Sequence, residues 1–473
     1  MPFAIKPWVG LFSDCYPLFG YKRMPYVFGG SIIGLAGTLL AVLIVPSQST
    51  VILGVIGLFM MIFYWIACCD LLSEAVYSRK ISSSPANGPA LVGYVTAGQK
   101  VLGLVAGLLS GVIVQYAPKL GGHTGSQWAL ATTIVPSIVL IIPVLLNYFG
   151  EEKWSSEDSH NERMKLWNEQ RELVFLSVLV GAVAVMYAIF SVVVASFEIN
   201  FVLLFVLLVV LAFAAWLVVR PLISRLLLFK CIAGVSLLQP SGPAQYFFTD
   251  DAVQFPGGPN LSPLYYGSVV NTVGIIGGII GITIFTRFMS SWTYRRAYLV
   301  IIITMVILQL GDPIIYSRVN LKIGIPDKVF VVGSTALVQV GQLLIYMPGS
   351  LMLSYMCPKN LEGTMFALLA AIHNFAFFGT GSTTAYISES LHVSPRGLSG
   401  IDESAQFDNL WIVSLICILV QLIPLGFLWL LPDSPMDELL LPRDQCTSAT
   451  VGSPYKRFLG NQRKSEGKSE SLE

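Results

Sequence analysis

Three ionisable residues lie inside strongly apolar stretches of the chain. Asp70 and Glu74 are four residues apart in one stretch, and Lys100 lies in the next. Side chains four residues apart share one face of a helix. Measured from Arg79 and Pro89 as the polar edges, Asp70 lies about nine residues deep and Lys100 about eleven, roughly 14 and 16 Å at ~1.5 Å per residue. The carboxylates and the ammonium can therefore meet at similar depth.

Such a cluster has two possible uses. It is either a static ion pair that allows charged residues to be tolerated in lipid, or a switchable site. In the switchable site, a buried carboxylate takes up a proton and releases Lys100 to bind an anion. Ionisable residues at membrane depth cost about 2.5–3.5 kcal/mol each on insertion scales, so they are functional candidates.

A second candidate site lies near the start of the chain, in the stretch "KPWVGLFSDCYPLFGYKRMPY". Asp14, at the end of a helix, can face the positive N-terminus of a neighbouring helix. Lys22 and Arg23 can reach carboxylates or carbonyl groups on another part of the bundle. The alternative is that this basic pair only marks the cytoplasmic side of the membrane.

The composition is that of a polytopic membrane protein. Of 473 residues, 55% are hydrophobic and 12% are charged, and the mean hydropathy is +0.72; soluble domains carry about 25% charged residues. A net charge of +1 argues against a nucleic-acid surface, and four scattered histidines argue against a metal site. Because no HExxH segment, nucleotide-binding loop or similar motif is found, we expect neither an enzyme nor a cofactor.

The chain contains twelve apolar windows of the roughly 20 residues that a membrane-spanning helix needs. They lie at residues 26–46, 51–73, 91–114, 127–149, 173–197, 200–219, 226–248, 263–286, 298–316, 329–355, 364–388 and 409–431. An open strand would leave its backbone groups unpaired in lipid, and the windows lack the alternation of a barrel strand. The sequence therefore predicts an all-α membrane protein with about twelve transmembrane helices.

Lysine and arginine concentrate in alternate connections between these windows. The rich side includes Lys6, Lys22, Arg23, Arg220, Arg225 and Lys230. The poor side holds Lys119, Arg318, Lys322, Lys328 and Arg396. Because cytoplasmic connections carry the excess of positive residues, we expect both termini in the cytoplasm, and we expect the plasma membrane as the location.

Four segments, in order, resemble the folate–biopterin transporters, a branch of the major facilitator superfamily. The opening stretch "IKPWVGLFSDCYPLFGYKRMPY" is similar to the signature of that family. It is followed by "WIACCDLLSEA" from Trp65, "GIPDKVFVVGS" from Gly324 and "MCPKNLEGTMFALLAAIHN" from Met356. The resemblance implies a major-facilitator-like helical bundle and a secondary active transporter of folate, biopterin or a related pteridine. It also suggests proton symport by alternating access.

The resemblance also gives roles to the candidate residues. Asp14, Lys22 and Arg23 would form the gate loop between the second and third family helices. The helices that carry the Asp70 cluster and Lys100 would lie beside the translocation path.

Other polar positions fit a pteridine ligand. Asn374, on a late helix, can hydrogen-bond a pterin ring, although a single amide more often joins two helices. Pro240 and Pro243 interrupt one span, and a broken helix at depth usually lines a cavity.

The family pattern suggests five regions. Residues 1–149 are an N-terminal half that lacks the first two family helices, and residues 150–172 are a charged central loop. Residues 173–222 are an inserted helix pair, residues 223–432 are a six-helix C-terminal half, and residues 433–473 are a disordered tail.

Two alternative functions stay open. The family resemblance extends to carriers of other metabolites such as S-adenosylmethionine. Because the first two family helices are expected to be absent, a non-transporting truncated paralogue is the other alternative.

Overall fold

The computed structural model describes residues 2–43, 51–116, 125–194, 196–262, 264–358, 361–398, 400–440 and 448–458. Within these ranges the chain is built from helices, and β pairing is confined to two isolated bridges, Leu18 with Tyr21 and Thr293 with Pro435. Twelve helical segments of the described ranges are long and apolar enough to cross a membrane. The predicted all-α membrane class and number of spans are confirmed.

The N-terminal half begins with a 3₁₀ turn at Pro2–Ile5 and contains six α-helices. They are α1 (Lys6–Cys15), α2 (Met24–Leu43), α3 (Val51–Ser83), α4 (Gly88–Tyr116), α5 (Gly125–Ala131) and α6 (Ile134–Leu145). These segments are helical because a helix satisfies its backbone groups internally, which an apolar environment requires. Pro7 stands in the first turn of α1, where a missing N–H costs nothing.

A helix pair follows, formed by α7 (Ser156–Val193) and α8 (Phe197–Val218). The expected central loop at 150–172 is therefore mostly helical. Ser155 explains the early start, because its hydroxyl accepts the N–H of Asp158 at 3.0 Å and caps a first turn rich in acidic residues. The helix is interrupted at Gln170, where φ is −140° and ψ is 31°.

The C-terminal half contains the remaining α-helices. They are α9 (Pro221–Ser236), α10 (Ser241–Thr249), α11 (Asn271–Ile284), α12 (Tyr294–Gln309), α13 (Gly311–Tyr316), α14 (Val319–Lys322), α15 (Asp327–Tyr355), α16 (Glu362–Ser390) and α17 (Leu410–Val420). The predicted break near Pro240 separates α9 from α10. π-helical turns at Tyr265–Val270 and Phe285–Met289 flank α11, and a 3₁₀ segment at Ile423–Leu430 follows α17.

The two halves meet along two seams, α1 against α16 and α4 against α11. Small residues allow the close helix packing at both seams. A Cβ added at Gly10 of α1 would collide with the carbonyl oxygen of Gly363 on α16. A Cβ added at Gly93 of α4 would lie 2.5 Å from the side chain of Thr286. Glycine at these positions lets the backbones approach closely, as at other membrane helix interfaces.

The helix pair packs beside the α1–α16 seam. Trp8 of α1 donates its indole N–H to the carbonyl oxygen of Val178 at 3.2 Å. Tyr187 of α7 contacts Phe375 of α16 edge-on at 5.3 Å, and its hydroxyl lies 3.2 Å from that of Ser382. The pair α7–α8 therefore covers one side of the contact between the halves.

Part of the segment expected to be a disordered tail is packed. Met436 is fully buried, and the N–H of Ala449 donates to the side-chain oxygen of Gln170 at 3.1 Å. Lys456 pairs with Glu172 at 3.1 Å. Residues 448–458 thus cover the irregular turn of α7 and contact its buried polar side chains Gln170 and Glu172. Residues 441–447 and 459–473 of the expected tail lie outside the described residues.

Candidate functional site

Asp70 and Glu74 share one face of α3, as their spacing predicts, and both carboxylates pair with Lys6. The Lys6 ammonium donates to Asp70 Oδ2 at 2.7 Å and to Glu74 Oε2 at 3.2 Å. Lys6 is only 3% exposed, whereas the Asp70 side chain is 31% exposed. Tyr77 adds a weak hydrogen bond to Glu74 Oε1 at 3.4 Å. Because Lys6 begins α1, this cluster ties α1 to α3.

Lys100 does not join this cluster. It lies on the face of α4 that is turned toward α11, where its Cε is 3.9 Å from the Cβ position of Gly278. In the described ranges, no carboxylate lies within ion-pair distance of its ammonium. Asp70 and Lys100 face different neighbours, so they do not meet, and the prediction that they can do so was wrong. Lys6, which the sequence placed with the cytoplasmic-side cations, takes that role.

Two cavities adjoin at the contact between the halves; the first is lined by both halves and the second by the C-terminal half. The first has a volume of 170 Å³ and contains the Lys6, Asp70 and Glu74 side chains on one wall. The second has a volume of 320 Å³ and reaches the broken end of α9 at Gln239. Four residues of the C-terminal half line both cavities: Lys230, Tyr346, His373 and Asn374. Asn374, predicted as a ligand-binding residue, therefore lies where the two cavities adjoin.

Lys230 is a buried cation without a counterion. It is 8% exposed, and no carboxylate among the described residues lies within 4.0 Å of its ammonium. The ammonium lies against Gly349, at 2.5 Å from the Cβ that glycine lacks. His373 Nδ1 is 3.1 Å from the Lys230 carbonyl oxygen, and because a carbonyl only accepts, Nδ1 carries the proton. His373 therefore keeps Nε2 as an acceptor.

Sequence reasoning missed Lys230 because it grouped this residue with Arg220 and Arg225 as a cation of a connecting loop. Pro221 begins α9, and Lys230 lies about nine residues further along, roughly 14 Å at ~1.5 Å per residue. The same measure of depth that singled out Asp70 could have identified Lys230. The depth of Lys230 could therefore have been counted from the sequence.

The loop after α1 forms a second charged cluster, which we call the loop-end cluster (Asp14, Lys22, Arg23, Glu362 and Thr364). Asp14 Oδ2 accepts the backbone N–H of Thr364 at 2.7 Å and the Thr364 hydroxyl at 2.9 Å. Asp14 thus caps the N-terminus of α16, the arrangement its helix-end position suggested. Arg23 pairs with Glu362 at 3.2 Å, and both side chains are buried.

Lys22 and the start of α2 complete this end of the bundle. The Lys22 ammonium lies 3.7 Å from the ring centre of Trp154. Glu151 accepts the backbone N–H groups of Arg23 and Met24 at 3.1 and 3.2 Å. These contacts close the α1–α16 seam about eight residues, or roughly 12 Å, from Lys6 along α1.

Comparison with known sequences identifies relatives over nearly the whole chain. The sequence model of the BT1 family matches residues 1–448. Probable folate-biopterin transporter 4 of Arabidopsis thaliana is 25% identical, over 91% of this chain and 86% of the relative. The folate-biopterin transporter of Synechocystis is 24% identical, over 96% and 80%. Folate transporter 1 of Plasmodium falciparum is 21% identical, over 98% and 77%.

Solved structures share the helical arrangement. One solved structure is described as giving insights into substrate recognition in proton-dependent oligopeptide transporters. It matches with a TM-score of 0.57 at 14% identity, covering 90% of this chain and 88% of that one. The major facilitator superfamily proton:xylose symporter XylE matches with a TM-score of 0.52 at 12% identity, covering 93% and 86%. At these identities the likeness shows the major facilitator fold alone.

Proposed function

Because the chain belongs to the BT1 family, we propose that it is a secondary active transporter of folate, biopterin or a related pteridine. Transport proceeds by alternating access and is coupled to protons. The chain is a multi-pass membrane protein, and its relatives are transporters rather than enzymes. Pteridine specificity and proton coupling are the parts of the proposal that need an experiment.

The observation that carries the proposal is the cavity between the halves, together with the second cavity that adjoins it in the C-terminal half. The N-terminal half supplies Lys6 and the two carboxylates, and the C-terminal half supplies Lys230, His373 and Asn374. In alternating access, the two halves, here residues 1–149 and 223–432, rock about such a shared site. The loop-end cluster contacts the other half at one end of the seam, so its ion pairs would hold one state and break in the other.

Proton coupling follows from the shared counterion of the two carboxylates. Lys6 balances only one negative charge, so one carboxylate of the pair is in excess. Asp70 is the more exposed of the two and reaches the cavity. Protonation of Asp70 would neutralise one of the two carboxylates that hold Lys6, which would weaken this ion pair and free the ammonium toward the cavity.

Uptake of radiolabelled folate and biopterin in a transporter-null cell tests this function. The wild-type chain should accumulate at least one of them, faster under an inward proton gradient. Asp70→Asn should reach the membrane but lose the pH dependence of uptake, whereas the exposed Glu157→Gln should behave as the wild type. Unchanged pH dependence in Asp70→Asn would refute the proton role. Absence of uptake by the wild type would favour a non-transporting paralogue, and uptake of S-adenosylmethionine alone would favour the other alternative.

The distribution of positive residues supports a location for the termini. Although Lys6 and Lys230 lie inside the bundle, Lys22, Arg23 and Arg225 still lie on the richer side. We therefore place both termini in the cytoplasm of a plasma-membrane protein. Antibody access to terminal tags, before and after permeabilisation of cells, tests this placement.

A further inference from the structure

The buried ammonium of Lys230 lacks the partner that a buried charge normally has. An uncompensated charge inside a protein is costly, and breaking a buried pair is strongly destabilising for the same reason. Lys6, in the same pair of cavities, has two carboxylates within hydrogen-bond distance, at 2.7 and 3.2 Å. Lys230 has none at that distance among the described residues, so its ammonium is available to contact an anion in the cavity.

A second unpartnered donor lies beside Lys230. The Tyr298 hydroxyl is buried and has no hydrogen-bond partner in the part of the chain that the structure describes. Its ring is fixed edge-on against Phe229 at 4.9 Å. The Tyr298 hydroxyl and the Lys230 ammonium both approach Gly349, at 3.3 and 2.5 Å from the position a Cβ would occupy. Both residues line the 320 Å³ cavity, so two donors are placed together at one wall of it.

The chemistry of these two donors selects an anion with two acceptor oxygens. A carboxylate can accept from the ammonium and from the hydroxyl at once, and charge-assisted hydrogen bonds of this kind are the strong ones. The rest of the cavity suits an aromatic ligand that carries amide-like groups. Its wall combines apolar side chains such as Met305 and Phe377 with the amides of Gln239 and Gln342.

We infer that Lys230 and Tyr298 bind a carboxylate of the substrate, so that the protein selects a pteridine that carries a carboxylate over one that does not. This inference rests on the proposed function and names the substrate class of that site. Folate carries carboxylates on its glutamate tail, whereas biopterin carries none. The two cavities contain two lysines and two carboxylates, so entry of one carboxylate with one proton leaves their net charge unchanged.

Transport by the full-length chain in proteoliposomes, with radiolabelled folate and biopterin, tests this inference. Lys230→Met removes the charge while keeping the length of the side chain. This variant should lower folate uptake about ten-fold or more, because a hydrogen bond to a charged group is lost. It should leave biopterin uptake nearly unchanged. Arg225→Met removes an exposed cation from the same helix and is the matched control, with uptake of both compounds expected to stay at the wild-type level.

A measurement on the wild type covers the case in which Lys230→Met fails to fold. Unlabelled free folate should inhibit uptake of the radiolabelled pteridines. The concentration that it needs should be about ten-fold or more below that needed by folate esterified at both carboxylates. Equal inhibition by both compounds would overturn the inference.

The outcomes also separate the inference from the proposed function. A wild type that moves neither pteridine contradicts the function. A wild type that moves biopterin but not folate supports the function and overturns the inference. Unchanged folate uptake, or equal loss of both substrates, in a correctly folded Lys230→Met protein would also overturn it.

Discussion

The loop-end cluster and the cavity wall around Lys230 contain similar charged residues but balance them differently. At the loop end, Arg23 pairs with Glu362, and Asp14 Oδ2 accepts two hydrogen bonds from Thr364. In the cavity, Lys230 is just as buried but has no carboxylate partner among the described residues. Paired charges add contacts between helices, whereas an unpaired buried charge destabilises the fold unless a bound ligand compensates it. The first region therefore joins the two halves through paired charges, and we propose that the second binds the substrate.

The largest expected effect tests the paired state of Lys6. Lys6→Met leaves two carboxylates without a counterion and should lower the free energy of unfolding by about 3–5 kcal/mol. The measurement is the thermal unfolding midpoint in detergent. Adding Asp70→Asn and Glu74→Gln to Lys6→Met should recover most of the loss. A midpoint equal to the wild type in the single variant would show that this pairing does not stabilise the bundle.

A smaller effect is expected at the loop end. Arg23→Met leaves Glu362 buried and unpaired and should cost about 1.5–3 kcal/mol, since a hydrogen bond to a charged group is lost. A double-mutant cycle with Glu362→Gln measures the coupling between the two residues. If the two losses simply add, the ion pair contributes nothing to the contact between the halves.

The smallest expected effect has the opposite sign. Lys230→Met removes an unpaired buried cation, and apolar replacement of buried charge is often neutral or stabilising. The unfolding midpoint of this variant should equal that of the wild type or be higher. A higher midpoint would correspond to a gain of about 1 kcal/mol in the free energy of unfolding. A fall as large as that of Lys6→Met would erase the difference between the paired and the unpaired region, because Lys230 would then be a structural residue.

The sequence predicted the parts of the site that depend on a single segment. The shared face of Asp70 and Glu74 follows from the helical repeat, and the cap that Asp14 provides follows from its place at a helix end. The break between α9 and α10 follows from Pro240, which has no N–H to donate. The shared face and the break depend on residues within a few positions of one another, whereas Thr364, the partner of Asp14, is 350 residues away in the chain.

The errors concern residues that meet across the fold. Lys100 was expected to pair with Asp70 because the two have similar depth, but depth does not fix which way a helix is turned. The partner is instead Lys6, 64 residues away in the chain. The helical start of α7 is a local exception, because Ser155 caps it through Asp158, three residues further on, and its charged residues suggested a loop. The docked segment 448–458 depends on contacts with Gln170, which is 279 residues from Ala449.

The sequence by itself determined the membrane class, the twelve membrane-spanning segments and the family resemblance. Apolar length, backbone hydrogen bonding and short motifs are local properties. The tertiary structure decided which charges are paired. Lys6, Lys100 and Lys230 are all lysines in apolar surroundings, and nothing in their immediate sequence separates them. Packing between distant helices gives Lys6 two carboxylates and turns Lys100 toward α11. The same packing places Lys230 in a cavity wall, where no carboxylate of the described residues lies within ion-pair distance of its ammonium.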